Sequence, residues 1–214
     1  KARLAAAFPH LPVFIEHDGN AGALAEFHFG AGRGRTDLRH LIFLTFGTGL
    51  GAGLIINGAV VHGASDTAGE VGHLRLAWEG PVGFGKAGSW EGFASGAGLV
   101  ELAHRMFPAR WTRATPIREI VTAMLADDAQ ALAVAEEAGK WMGRGLALLV
   151  DTLNPQLIVL GSLAVALGER VLGPARRALS EEALPQAVEA CEIVPAALGA
   201  SIGDVAALMA ALSQ

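Results

Sequence analysis

The strongest periodic signal in the chain lies between Leu41 and His62. Leu41-Ile42-Phe43-Leu44-Thr45-Phe46 is a nearly unbroken apolar run of strand length, as expected for a strand buried on both faces. A glycine series follows, Gly47-Thr48-Gly49-Leu50-Gly51-Ala52-Gly53, and then a second apolar run, Leu54-Ile55-Ile56. Asn57-Gly58 suits a two-residue hairpin turn because both residues tolerate positive φ. Ala59-Val60-Val61-His62 returns as a third strand, which makes an antiparallel meander. Further strands are predicted over Val13 to Glu16, over Leu157 to Leu160 and, briefly, at Ile193-Val194.

Helical spacing dominates the rest. An Ala-rich helix is predicted after Asn20 through about Phe27, and the chain turns helical again from Glu91 to Met106. Further helices are predicted over Ile117 to Leu125, Asp128 to Leu153, about Leu167 to Leu179, and Ile202 to Leu212. Pro116 suits a first helical turn and Asn154-Pro155 a stop, because proline lacks an N–H and restricts the residue before it. Residues 66 to 89 are glycine-rich with scattered Glu, His and Trp, the composition of a functional loop. Strands first, then helices with interspersed strands, predict an α/β fold: a mixed sheet covered by helices.

Composition narrows the function. The chain has 214 residues, 16 basic and 21 acidic, for a net charge of -5. That length suits one substantial core, and the acidic balance offers no nucleic-acid footprint. The single cysteine, Cys191, excludes an intramolecular disulfide and a multi-cysteine zinc site, and suits a reducing compartment. Mean hydropathy is high, +0.41, but it comes from Ala and Gly. The most apolar stretch, Leu146 to Gly168, is cut by Asp151, Asn154 and Pro155, so no membrane span is expected. No secretory leader pattern opens the sequence, and a cytoplasmic location is expected.

Several residues carry candidate chemistry, each with a plainer alternative. The glycine series offers backbone N–H groups to an anion such as phosphate; the alternative is a tight hairpin without a ligand. It is neither a Walker loop nor a dinucleotide fingerprint. Asp18 follows a predicted strand, where functional carboxylates of α/β folds often sit, or it caps the next helix. Glu70 and Glu91 lie near glycine-rich stretches. They suit hydrogen bonding to sugar hydroxyls, which discriminates stereochemistry, or they are solvated loop charges. His73 stands three residues after Glu70, as a loop histidine or a lone metal ligand.

Taken together and in order, the Asp18 turn, the glycine series, Ala68-Gly69-Glu70-Val71-Gly72-His73, Gly85-Lys86-Ala87-Gly88-Ser89-Trp90-Glu91, Ser95-Gly96 and Asn154-Pro155-Gln156-Leu157-Ile158-Val159-Leu160-Gly161 closely resemble the ROK family. That family comprises bacterial sugar kinases and sugar-responsive repressors with the actin-like, RNase-H-like ATPase fold. The resemblance covers nearly the whole chain. It implies that Asp18 is the catalytic base toward a sugar hydroxyl, that His17, Glu70, His73 and Glu91 contact the sugar, and that Gly47, Thr48, Gly49 and Gly161 contact ATP. Magnesium would arrive with ATP, and a homodimer is expected.

The sequence departs from the family pattern at three places. The cysteines that commonly bind zinc with the motif histidine are replaced by Val82, Phe84 and Ser89. No structural zinc is therefore expected, and Val82, Phe84 and Trp90 are expected to fix the loop by packing. His17 stands where asparagine is usual before the catalytic aspartate. Gly161-Ser162 stands for the usual Gly-Gly. No Asp-x-Gly-Gly-Thr phosphate loop occurs, so residues 1–214 read as the C-terminal lobe of a two-lobe protein whose partner is the N-terminal lobe. Alone, this lobe is expected to be inactive. Ile202, Val205, Leu208, Met209 and Leu212 are expected to present an uncovered apolar stripe. The implied activity is ATP-dependent phosphorylation of a hexose or amino-hexose, glucokinase-like. The alternatives are a sugar-sensing regulator with its DNA-binding region elsewhere, and a silent scaffold.

Overall fold

The computed structural model describes residues 2–212. Helix α1 (Ala2–Ala7) leads through a connecting segment to α2 (Asp18–Phe29). Strands β1 (Leu41–Phe46), β2 (Leu50–Ile56) and β3 (Ala59–Val60) form the predicted meander, with Leu41 opposite Ile55 and Phe46 opposite Leu50. Asn57 and Gly58 turn the chain with φ of 53° and 78°, as a tight hairpin requires. A small hairpin, β4 (Val82–Gly83) and β5 (Lys86–Ala87), precedes α3 (Trp90–Phe93), α4 (Gly96–Met106), α5 (Ile117–Leu125) and the long α6 (Ala129–Leu153). Then come β6 (Leu157–Leu160), α7 (Leu163–Leu167), α8 (Glu169–Glu182), α9 (Pro185–Glu189), β7 (Glu192–Pro195) and α10 (Ile202–Leu212).

The main sheet runs β3-β2-β1-β6-β7, with β1, β6 and β7 parallel and the meander antiparallel. Alternation along β1 divides the core in two. Ile42, Leu44 and Phe46 face Trp90, Leu99, Met142 and Leu146, whereas Leu41 and Phe43 face Ala23, Leu24 and Met209. Side chains two apart share a face of a strand, so β1 is buried on both sides. Helices α3 to α8 contribute to one layer, and α2 with α10 to the other.

Several expectations are corrected. Val13 to Glu16 is not a strand: it pairs with none of the described strands, and Phe14 and Ile15 are 38% and 61% exposed. Only residues 47–49 of the glycine series turn the chain, because Gly51 and Gly53 belong to β2. The helix expected from Glu91 to Met106 breaks at Ser95, whose hydroxyl accepts from Gly98 N at 3.0 Å and starts α4, a competing cap that ends one helix and begins another. The helix expected over about Leu167 to Leu179 is α8, which starts at Glu169 after Gly168 at φ 54° and is preceded by the short α7. The apolar stripe on α10 is largely covered, with Met209 buried and Ile202 and Val205 packed beside it; Leu208 and Leu212 are exposed. Among the described residues, no helix is long and apolar enough to cross a membrane.

Candidate functional site

The first turn of α2 sits backbone to backbone on β2. A Cβ at Gly19 would lie 2.7 Å from the Ala52 carbonyl oxygen, and one at Gly53 would strike the Gly19 carbonyl. Only glycine permits that approach, and it holds the start of α2, and with it Asp18, close against β2. The Asp18 side chain is 87% exposed, and its Oδ1 accepts from Gly19 N at 2.8 Å.

His17 bridges two carboxylates. Its Nδ1 is 3.5 Å from Asp18 Oδ1 and its Nε2 is 3.4 Å from Glu70 Oε1. Glu16, immediately before, is nearly buried; its Oε1 accepts from His17 N at 2.8 Å and from Asn20 Nδ2 at 3.0 Å. Glu70 is held by its neighbour, since Ala52 N donates to the Gly69 carbonyl at 2.8 Å. Glu91 projects from α3, which Ser89 caps by accepting from Gly92 N at 3.2 Å. The Glu91 Oε2 accepts from Leu50 N at 3.0 Å.

The glycine turn is fastened from both sides. Gly47 N donates to the Thr45 and Gly49 carbonyls at 2.9 and 3.1 Å, and Gly96 N donates to the Gly47 carbonyl at 2.7 Å. The Gly47 amide is thus consumed internally. Within the described residues, the N–H groups of Thr48 and Gly49 make no such bond, which leaves them as the amides available to an anion.

These groups share one cleft of 780 Å³, whose wall includes His17, Asp18, Gly47, Thr48, Gly49, Glu70 and Glu91. Next to it is an apolar hollow of 440 Å³ between α4 and α7, lined by Ala97, Val100, Ile117 and Leu163 among others; Gly47, Thr48 and Ser162 border both. Two candidates stand off the cleft wall. The His73 ring lies stacked on Phe84, with centroids 3.7 Å apart and planes at 21°. Gly161 is buried behind the wall, its N–H donated to the Leu44 carbonyl at 2.9 Å.

Residues that sequence reasoning missed also line the cleft: Glu16, Thr45, Phe84, Ser162 and the Ile202–Ala210 side of α10. Ser162 carried a signal. It stands where a glycine is usual, and its φ of 47° is a conformation glycine adopts freely and serine at a cost. Nothing in the local sequence pointed to α10, which reaches the cleft through packing on α2.

The loop around Val82, Phe84 and Ser89 does not fit a zinc ion. Val82 is 61% exposed, the Ser89 hydroxyl is buried and donates to the Gly83 carbonyl at 3.1 Å, and His73 is taken by the Phe84 ring. Among the described residues, no group of three or more His, Cys, Asp or Glu side chains is placed to hold a metal. The packing expectation holds for Trp90, which is fully buried, but not for Val82. Ser89 contributes more, because Gly83 N and Gly92 N both donate to its hydroxyl, at 3.1 and 3.2 Å.

A family model for the ROK family matches residues 1–213. The chain belongs to the ROK family. Among its curated ROK relatives, it is 32% identical to a glucokinase of Halalkalibacterium halodurans, over 91% of this chain and 62% of that protein. It is 31% identical to a xylose repressor of Bacillus spizizenii, over 89% of this chain and 48% of that protein. The chain thus spans about half to three fifths of the length of these relatives. Among solved structures, a ROK glucokinase from Streptomyces griseus in complex with glucose and AMPPNP superposes with a TM-score of 0.82 at 31% identity, covering 97% of this chain and 70% of that one. A ROK hexokinase from Thermus thermophilus gives 0.79 at 34% identity, covering 99% and 69%. The mixed sheet covered by helices is therefore that of the ROK sugar kinases, which have the actin-like ATPase fold.

Proposed function

We propose that the protein containing this chain transfers the γ-phosphoryl group of ATP to a hydroxyl of a hexose or amino-hexose. The observation that carries this reading is the convergence of Asp18, Glu70, Glu91 and the 47–49 turn on one cleft. In this reading Asp18 accepts the proton of the attacking hydroxyl, and its exposure leaves the carboxylate free to meet a substrate. Phosphoryl transfer depends chiefly on positioning and charge stabilisation, so orienting the hydroxyl matters as much as removing its proton. Glu70 and Glu91 accept hydrogen bonds from neighbouring hydroxyls. The Thr48 and Gly49 amides meet phosphate oxygens, and the apolar hollow beyond Ser162 takes the nucleoside. Magnesium enters as part of the MgATP substrate.

The proposal includes a second lobe, outside these residues, that closes over the cleft and completes the donor site. The test is ADP release by the full-length protein with glucose, mannose, fructose, N-acetylglucosamine and N-acetylmannosamine, beside an Asp18→Asn variant. Sugar-dependent turnover that collapses in the variant supports the reading. The similarity to xylose repressors favours one alternative, a sugar-sensing regulator. A folded protein that binds a sugar but turns over none would move the assignment there.

A further inference from the structure

We propose that Phe84 forms the stacking wall of the sugar site, with His73 as the residue that positions it. The proposal rests on the sugar-site reading above and adds a specificity-determining residue to it. Three observations meet at Phe84. Its side chain lines the cleft that holds His17, Asp18, Glu70 and Glu91, and it is 50% exposed there. Its backbone has φ of 52°, and the next residue, Gly85, has φ of 68°. One face of its ring is covered by the His73 imidazole, with centroids 3.7 Å apart.

The backbone observation is the informative one. Phe84 and Gly85 are the two central residues of the β4–β5 hairpin, between Gly83 and its partner Lys86. Such a turn with positive φ at both centres favours Asn, Asp or Gly, and a bulky residue there is a true outlier. A half-exposed phenylalanine in that position gives up backbone comfort and hides little surface in return. Residues held in such conformations cluster at ligand clamps, where the surroundings over-determine them. Here His73 supplies the surroundings. Lys86 Nζ donates to the His73 carbonyl at 2.8 Å, which ties the hairpin to the turn carrying the imidazole. His73, which stands off the cleft wall, thereby acts on it through Phe84.

An aromatic face at the mouth of a cleft lined by carboxylates matches a ligand with an apolar face and a polar edge. A pyranose ring is such a ligand: its C–H face packs on the aromatic ring while its hydroxyls reach Glu70 and Glu91. A ring with only equatorial hydroxyls presents an unbroken C–H face, so gluco-configured sugars gain most.

The experiment uses the full-length protein with Phe84→Gly, Phe84→Tyr and Val82→Ala. Phe84→Gly removes the ring while relieving the positive-φ penalty, and its melting temperature reads any stability loss separately from the glucose KM. The expected result is a KM for glucose raised about tenfold in Phe84→Gly, with the KM for ATP and the melting temperature kept or the latter raised. Phe84→Tyr retains the glucose KM, and Val82→Ala, exposed on the same hairpin, behaves as wild type. An unchanged glucose KM in Phe84→Gly, or equal changes for glucose and ATP, overturns the proposal. If the wild type phosphorylates no sugar, the kinase reading fails separately. Calorimetric titration with glucose, mannose and N-acetylglucosamine then decides: binding lost in Phe84→Gly supports the wall, whereas equal binding, or none by the wild type, overturns it.

Discussion

Glu91 accepts a hydrogen bond from the backbone N–H of Leu50 at 3.0 Å, joining α3 to the first residue of β2 across a long stretch of intervening chain. This contact places a candidate sugar-binding carboxylate directly beneath the glycine turn. A Cβ at Gly49 would lie 2.7 Å from Glu91 Oε2, so the turn and the carboxylate fit only while residue 49 has no side chain. Gly49→Ala should displace the carboxylate and leave the Leu50 amide without its partner. The expected loss is about 1–2 kcal/mol of stability, together with a raised KM for sugar. Urea unfolding and steady-state kinetics check the two effects independently.

Ser162 borders both the cleft and the apolar hollow at φ 47°. Such a backbone costs a non-glycine residue about 1–3 kcal/mol, and glycine costs about 0.5–1 kcal/mol through chain entropy. Ser162→Gly should therefore stabilise the fold by roughly 1 kcal/mol. A shift of the urea midpoint to higher concentration at unchanged slope is the expected reading; a lower midpoint would show that the serine relieves strain elsewhere.

Glu26 is fully buried in α2 and bonds to three backbone amides. Its Oε2 accepts from Ala31 N at 2.8 Å and Ala197 N at 3.2 Å, and its Oε1 from Leu198 N at 3.0 Å. This one carboxylate fastens the segment before α10 to α2, and so holds the helix that walls the cleft. Glu26→Ala strands three donors and should cost about 3 kcal/mol, lowering the melting temperature by roughly 6–12 °C. Glu26→Gln keeps one acceptor oxygen and should lose less.

Glu101 on α4 is held well below the usual carboxylate range, at about 2, chiefly by its hydrogen bond to Arg113 and also by Arg105. A carboxyl depressed in the folded state contributes stability above its unfolded value of 4.5 and loses it as pH falls toward about 2. Stability should therefore decline through that window, and Glu101→Gln should flatten part of the decline. Urea midpoints between roughly pH 5 and pH 2 test this. A variant that declines as steeply as wild type would place the acid sensitivity on other carboxylates.

The meander was legible because its signals are local. An apolar run, an Asn-Gly pair and a returning apolar run specify strands and turn within twenty-two residues. The long helix α6 and its stop at Asn154 were legible for the same reason. The segment from Val13 to Glu16 misled because its apolar pattern is that of a strand, and a pattern cannot supply a pairing partner. Residues 91 to 106 misled because two serine caps, Ser89 and Ser95, compete within one helical stretch.

The chemistry on offer can be read along the chain: the aspartate, the glutamates and the glycine turn stand in an order that resembles one family. Tertiary structure decided which of them meet. Gly161, chosen from the motif, lies behind the wall, while its neighbour Ser162 lines it. His73, a sugar contact by resemblance, stands off the cleft wall with its ring stacked on Phe84, a residue the zinc-motif departure had marked only for loop packing. Helix α10 reaches the cleft by docking on α2, through the Glu26 carboxylate before it and through Met209 and its neighbours along it. Local propensity is set by near neighbours along the chain, whereas a cleft is formed by residues far apart in sequence whose backbones approach only after the core has packed.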